Sequence, residues 1–154
     1  MPEETIPLPV SWGALTDAEP QMAAFGRERL DGQLAYFATI AGSGWPRIHP
    51  VTTIIAEGRC CVFADAESAK VSHLSRSSLC SLHSSLPDSS GSSGEFRIRA
   101  HAQQLTDLWL RERIEAECNF RPSSKSLLFE LRIVEAVMTK YRHGNARHVR
   151  WRPV

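Results

Sequence analysis

Apolar residues along this chain fall into short runs, most with the two-residue period of a strand and a few with the wider period of a helix. Leu34 to Ala41 reads Leu-Ala-Tyr-Phe-Ala-Thr-Ile-Ala, an apolar run of strand length, and Gly42-Ser43-Gly44 closes it with a turn. Pro46 to Glu57 is rich in β-branched residues and predicts a second strand. Pro50 inside it cannot donate to a ladder, so it marks an edge, a bulge or a ligand-facing break. Gly58 predicts another turn and Arg59 to Asp65 a third strand, completing an antiparallel meander. Ser77 to Leu86 predicts a fourth strand. Glu95 to Leu105 alternates Phe96, Ile98, Ala100 and Ala102 with Arg97, Arg99, His101 and Gln103, as a half-exposed strand does. Leu127 to Tyr141 predicts a long strand, and His148 to Trp151 a last short one.

Helical spacing is confined to three places. Pro20 suits a first helical turn, and Met22, Phe25 and Leu30 share one side of a helix ending near Leu30. Ala66 to Arg76 predicts a short helix with Ser68 near its start. Thr106-Asp107 caps a helix running to about Cys118. Pro2, Pro7 and Pro9 predict an extended arm over about residues 1–16. Ten serines lie between positions 75 and 94, and residues 87–94 form a loop by composition. Short turns without βαβ spacing predict a mainly β fold: a single domain over 1–154, a barrel of six to seven antiparallel strands with a few helices.

Composition narrows the function classes. The 154 residues are enough for one domain with a core of its own. Eighteen Lys and Arg against seventeen Asp and Glu leave +1, which gives no electrostatic reason to expect nucleic acid or an anionic membrane as partner. No apolar run approaches the roughly 20 residues that cross a bilayer. The acidic start Met1-Pro2-Glu3-Glu4 does not read as a secretory leader. Cys60, Cys61, Cys80 and Cys118 lack CxxC spacing, so they are expected to be reduced thiols in a cytoplasmic protein, in or near the core. Adjacent in a strand, Cys60 and Cys61 should face opposite sides, the outward one at a dimer surface. Trp45 is expected to pack locally over its hairpin, and Trp12 and Trp109 to anchor a core or an interface.

No P-loop, GxGxxG, HExxH or GxSxG pattern occurs, and no metal site is expected from the spacing of the six histidines. The informative stretch is Gly44 to Lys70. One strand offers Arg47 and Thr52-Thr53. After the next strand, the helix start offers Ser68 and Lys70. Free amides at a helix N-terminus attract phosphate; a lysine adds a point charge and an arginine a bidentate contact. The bland alternative is that Arg47 and Lys70 are solvated surface charges.

The order of hairpin, Pro46-Arg47-x-x-Pro50-Val51, Phe63-Ala64-Asp65, Ser68-x-Lys70 and Gly94-Glu95-Phe96-x-Ile98-x-Ala100 resembles the pyridoxamine 5′-phosphate oxidase-like FMN-binding split barrels. The resemblance runs from about Met22 to Ile133 and is most specific over Leu34 to Leu74. It implies a small Greek-key split barrel, a homodimer, and FMN in clefts between the subunits. By that resemblance Arg47 meets the phosphate or ribityl chain, Ile48, His49, Pro50, Val51 and Thr52 line the flavin ring, and Phe63 and Ala64 occupy the oxidases' Tyr-Thr pair. Ser68, Ala69 and Lys70 match a Ser-Arg-Lys phosphate clamp, with alanine replacing the arginine. Glu95 falls near a flavin-bonding glutamine, and Trp151 in the tail that approaches the partner's cofactor. Thr52 stands where the oxidases have a substrate-binding lysine, and the C-terminal Arg-x-His-x-Arg signature is absent.

The expectation is thus an FMN-dependent oxidoreductase of unspecified substrate, distinct from a vitamin B6 oxidase. The alternatives are a module that carries or senses FMN, a deazaflavin or haem without turnover, and an empty barrel acting through its dimer surface. No side chain is singled out for proton transfer, although His49 lies on the flavin-lining strand.

Overall fold

The computed structural model describes residue 5 and residues 7–154. The part of the extended arm around Pro2 lies outside the described residues. The elements, in chain order, are α1 (Trp12–Ala18), α2 (Pro20–Leu30), β1 (Leu34–Ile40), β2 (Pro46–Ala56), β3 (Arg59–Asp65), α3 (Ala69–Arg76), β4 (Leu79–Ser84), β5 (Glu95–Leu105), α4 (Leu108–Ala116), β6 (Ser126–Arg142) and β7 (Asn145–Trp151). The strands follow the order β3-β2-β1-β4-β5-β6-β7, all neighbours antiparallel. A further pairing of β3 with the start of β6 closes six strands into a barrel, and β7 hangs from the far end of β6. Among the described residues no helix is long and apolar enough to cross a membrane.

Two-residue turns set the register. Glu57 and Gly58, between the paired Ala56 and Arg59, both have positive φ, at 54° and 69°. That backbone matches the twist of the flanking strands, which is why glycine follows the strained residue. His143 and Gly144, at 49° and 77°, do the same between β6 and β7. The last strand therefore starts at Asn145, three residues before the His148 expected from composition.

The barrel interior holds the main core: Phe37, Leu82, Phe96, Ile98, Leu131 and Ile133, all at most 1% exposed, with α1 and α2 plugging one opening. The extended arm is shorter than expected. It ends at Ser11, whose hydroxyl accepts from the Ala14 amide at 3.2 Å and caps α1. Trp12 and Leu15, three positions apart, are both buried there, and Trp12 meets Phe96 edge-on at 5.7 Å. Before Ser11, Val10 adds one antiparallel bridge to Ile133. A second, smaller core of Ile54, Ala56, Cys61, Ile114 and Leu128 lies between the outside of the barrel and α4.

That second core corrects the reading of Cys61. It does face away from Cys60, but α4 covers it, so it is buried instead of lying at a dimer surface. Burial pushes the thiols of Cys61 and Cys80 up to about 12 and that of Cys60 well above its usual value. Trp45 does not pack over its hairpin; it is 72% exposed. Trp109 is exposed too, with the Arg113 guanidinium 5.0 Å from its ring.

Candidate functional site

The end of β3 and the start of α3 are tied by one acidic residue. Asp65 accepts the Glu67 amide on its carboxylate at 3.0 Å and the Ser68 amide on its carbonyl at 2.9 Å. This turn starts α3, which packs against β1 and β3. Ser68 stands at the N-cap with extended φ and ψ, yet its hydroxyl does not cap the helix. The Ser68 Oγ is buried and has no hydrogen-bond partner. A hydroxyl shut from water without a partner costs stability, on the order of 1–3 kcal/mol, and an acceptor or donor brought by a ligand would recover that cost.

Strand alternation delivers the facing groups. Arg47 pairs with Thr39 and His49 with Phe37 across β1 and β2. Arg47, His49 and Val51 share the barrel-facing side of β2: Val51 is buried, His49 half-buried and Arg47 exposed at the rim. Lys70, on the first turn of α3, and Arg47 both act electrostatically on His49. Burial first, then the charges of Lys70, His73 and Arg47, hold the His49 imidazole below its ordinary 6.5. The charges of Arg47 and Lys70 thus both reach His49, and Ser68 stands at the N-cap of the same helix end, two positions before Lys70. Two permanent cations, a helix N-terminus and an orphaned hydroxyl make a cradle suited to a phosphate. Ala69, the first residue of α3, adds no charge to it.

Two members of this cluster escaped the sequence. Thr39 is 1% exposed, and its Oγ1 lies 2.7 Å from His73 Nδ1 and 3.0 Å from His49 Nε2. His73 is buried one turn beyond Lys70, and the two imidazole centroids are 5.8 Å apart. Alternation marks Thr39 as facing inward with Phe37, and helical spacing sets His73 three positions after Lys70. Nothing local says that the two touch.

The remaining anticipated residues are spread over other surfaces. Ile48 and Pro50 are exposed on the outer face of β2, with half-buried Thr52 beside them. Ala64 is buried in the main core. Phe63 packs with the second core, its ring 6.2 Å from Phe120 and 5.3 Å from the Arg111 guanidinium. Glu95 begins β5; it accepts from the Tyr141 hydroxyl at 3.1 Å, and its other oxygen is 3.8 Å from His83 Nε2. Trp151 closes β7 opposite Ala136, half-buried against the main core. In the sheet order β4, β5 and β6 separate Trp151 from the β1–β2 hairpin.

The outer face of β1, β2 and β4 is apolar. Leu34, Tyr36, Ile48 and Leu79 are exposed there, together with Pro46 and Pro50. A concavity of about 250 Å³ opens on it, lined among others by Ile40, Pro46, Leu79, Arg99, His101 and Val134; Thr39 also borders it, whereas Arg47, His49, Ser68, Lys70 and His73 do not. Further along this face the Glu135 carboxylate, buried, takes contacts from Arg99 at 3.8 Å, Arg150 at 3.6 Å and Arg152 at 2.9 Å. Among the described residues no group of three or more metal-ligating side chains converges.

No family model matches the chain, and neither does any curated protein. Solved structures do match. A candidate pyridoxamine 5′-phosphate oxidase from Listeria innocua aligns over 79% of this chain and 97% of its own, with a TM-score of 0.63 at 13% identity. A haem-binding protein from Mycobacterium smegmatis aligns over 82% of this chain and 55% of its own, with a TM-score of 0.64 at 14% identity. An F420 reductase aligns over 71% of this chain and 94% of its own, with a TM-score of 0.57 at 10% identity. Closed six-stranded barrel, appended strand and helix placement together give this chain the split-barrel fold of the pyridoxamine 5′-phosphate oxidase-like proteins.

Proposed function

We propose that this protein binds a phosphorylated flavin, FMN in first place and a deazaflavin coenzyme in second, and serves as an oxidoreductase acting on a small molecule. The observation that carries the reading is the buried, partnerless Ser68 hydroxyl at the uncapped start of α3, two positions before Lys70, whose charge and that of Arg47 both reach His49. Arg47 and Lys70 would hold the phosphate, with the α3 amides and Ser68 completing its shell. The outer face of β2, exposed Ile48 and Pro50 with half-buried Thr52, would lie along the ring. Once bound, a flavin supplies two-electron hydride chemistry that no side chain here can supply. The protein then contributes position, polarity and access.

Ala69 leaves the clamp one cation short of the oxidases' pattern. A charge-assisted contact is worth roughly 1.5–3 kcal/mol, so affinity should be about ten- to a hundredfold lower than with the full clamp. With Thr52 in place of a lysine, and without the C-terminal signature, vitamin B6 oxidation is not the proposed reaction.

The proposal includes a homodimer. The exposed Leu34, Tyr36, Ile48 and Leu79 form the kind of apolar patch that a second copy would cover. Pairing of that face would bring Glu95, on the outer side of β5, toward the partner's cofactor. Four free thiols, three of them buried, suit a reducing, cytoplasmic setting.

Titration of the purified protein with FMN, followed by quenching of flavin fluorescence, tests the reading. Saturation at micromolar FMN is expected, weakened at least tenfold in Lys70→Ala; no quenching up to high micromolar FMN would defeat it. The half-exposed His49 and the haem-binding fold neighbour support a second reading, a carrier or sensor of flavin or haem without turnover. Stopped-flow mixing of the loaded protein with NAD(P)H separates the two, since only the enzyme reading expects fast bleaching of the flavin.

A further inference from the structure

We propose that Thr39 joins His49 and His73 into one unit holding a single shared proton, and that the cradle uses this proton to match its charge to a phosphate dianion. The inference rests on the cradle reading above and adds its regulation by pH.

The geometry imposes the single proton. Two ring nitrogens, His49 Nε2 at 3.0 Å and His73 Nδ1 at 2.7 Å, converge on one hydroxyl oxygen. A threonine hydroxyl has one proton to donate and can accept from others. With both rings neutral, one ring donates to Thr39 and Thr39 donates to the other, so every group is satisfied. The first added proton goes to the outer nitrogen of the donating ring. No hydrogen bond breaks, and that ring becomes the cation. A second added proton makes both inner nitrogens donors. The Thr39 proton then has neither ring to bond, inside a site where Thr39 is 1% exposed and His73 8% exposed. Two imidazoliums would also stand 5.8 Å apart between centroids. The unit therefore accepts one proton and resists the next. Reversing the hydroxyl's direction, with its neighbours' protons, moves the charge between buried His73 and the cradle-side His49.

The charges that reach His49 come from its own strand and from α3: Arg47 on β2, and Lys70 and His73 on α3. The groove wall that β1 supplies is the neutral Thr39. All three charged neighbours are cations or can become one, and they oppose protonation of His49 until an anion arrives. A phosphate dianion between Arg47 and Lys70 reverses that balance. Binding should then take up a proton from solvent onto the His49–His73 unit, and affinity should rise as pH falls.

Ring-proton NMR of full-length protein, titrated from pH 8.5 to 4.5 with and without inorganic phosphate, is the experiment. In the wild type the His49 and His73 signals should follow one common two-step curve, because coupled sites share their macroscopic steps. Phosphate should raise the first midpoint by about one unit or more. Thr39→Val should split the curve into two independent single steps, and Thr39→Ser, which keeps the hydroxyl, should restore it. Independent single-step curves in the wild type overturn the shared proton, as do wild-type curves retained in Thr39→Val. A coupled pair whose first midpoint ignores phosphate overturns its link to the cradle. FMN quenching by the same sample then tells whether the cradle itself has failed or only its proton.

Discussion

Ser68 offers the sharpest residue-scale test of the cradle, because its two possible roles have opposite signs. A buried hydroxyl with no partner costs stability, so Ser68→Ala should raise the Tm of the free protein, by roughly 2–4 °C for each kcal/mol recovered. The same variant should weaken FMN binding, and a Tm loss without a binding loss would count against the assignment. His49 supplies a pH dependence. Its folded pKa lies below the ordinary 6.5, so the unfolded chain binds the proton that the folded chain refuses. Stability should decline as pH falls from about 6.5 through the folded value and level off below it. Urea midpoints measured across that range should show this slope, and His49→Gln should flatten it. The thiols make a third case. Burial, ahead of every charge, holds Cys61 and Cys80 at about 12, and burial with Glu115 holds half-buried Cys118 at about 11. A disulfide reagent at pH 8 should therefore find Cys118 first and slowly, and the others only on unfolding.

At the scale of elements, α2 is seated by a missing side chain. A Cβ on Gly26 would lie 2.8 Å from both the Phe96 ring and the Trp12 ring, so the helix reaches the barrel mouth only because this position is bare. Gly26→Ala gains about 1 kcal/mol in helix propensity but overpacks the joint by about 1–3 kcal/mol. A net loss is expected, a Tm drop of roughly 2–4 °C for each kcal/mol lost. An unchanged Tm would mean that α2 can slide on the barrel. α3 depends instead on the Asp65 turn. This element was legible from Ser68 and Lys70, and so were the groups of the phosphate cradle proposed at its start. α1 was less so, because the prolines before it suggested continued extension. The deciding event is the burial of Trp12 against Phe96, a contact across 84 positions of the chain, worth more than the local preference of Thr16 and Asp17.

On the scale of the whole molecule, the question is what covers the outer face of β1, β2 and β4. Ile48 is 72% exposed there amid other apolar side chains, a state that a second copy would relieve. Light scattering should report a dimer at micromolar concentration, and Ile48→Arg with Tyr36→Arg should yield a folded monomer with much weaker FMN binding. A wild-type monomer that still binds FMN tightly would remove the interface from the cofactor site. The outer-face concavity beside Arg99 and His101 and the Glu135 cluster belong to the same face, and their occupants follow from that result.

The chain's own periodicities determined the antiparallel strands, their turns, the barrel class and the candidate phosphate groups on β2 and α3. These depend on neighbours within a few positions: alternation sets a strand's faces, and a helix start exposes amides wherever it occurs. Which surfaces those faces meet was decided only by the closed barrel. Pairing of β3 with β6 and the seating of α4 turned Cys61 from an outward residue into a buried one. Packing of α3 on β1 brought His73 to Thr39, 34 positions earlier, and so created their hydrogen-bonded pair. Such contacts depend on the register of distant strands, which side-chain pattern constrains in parity but not in partner.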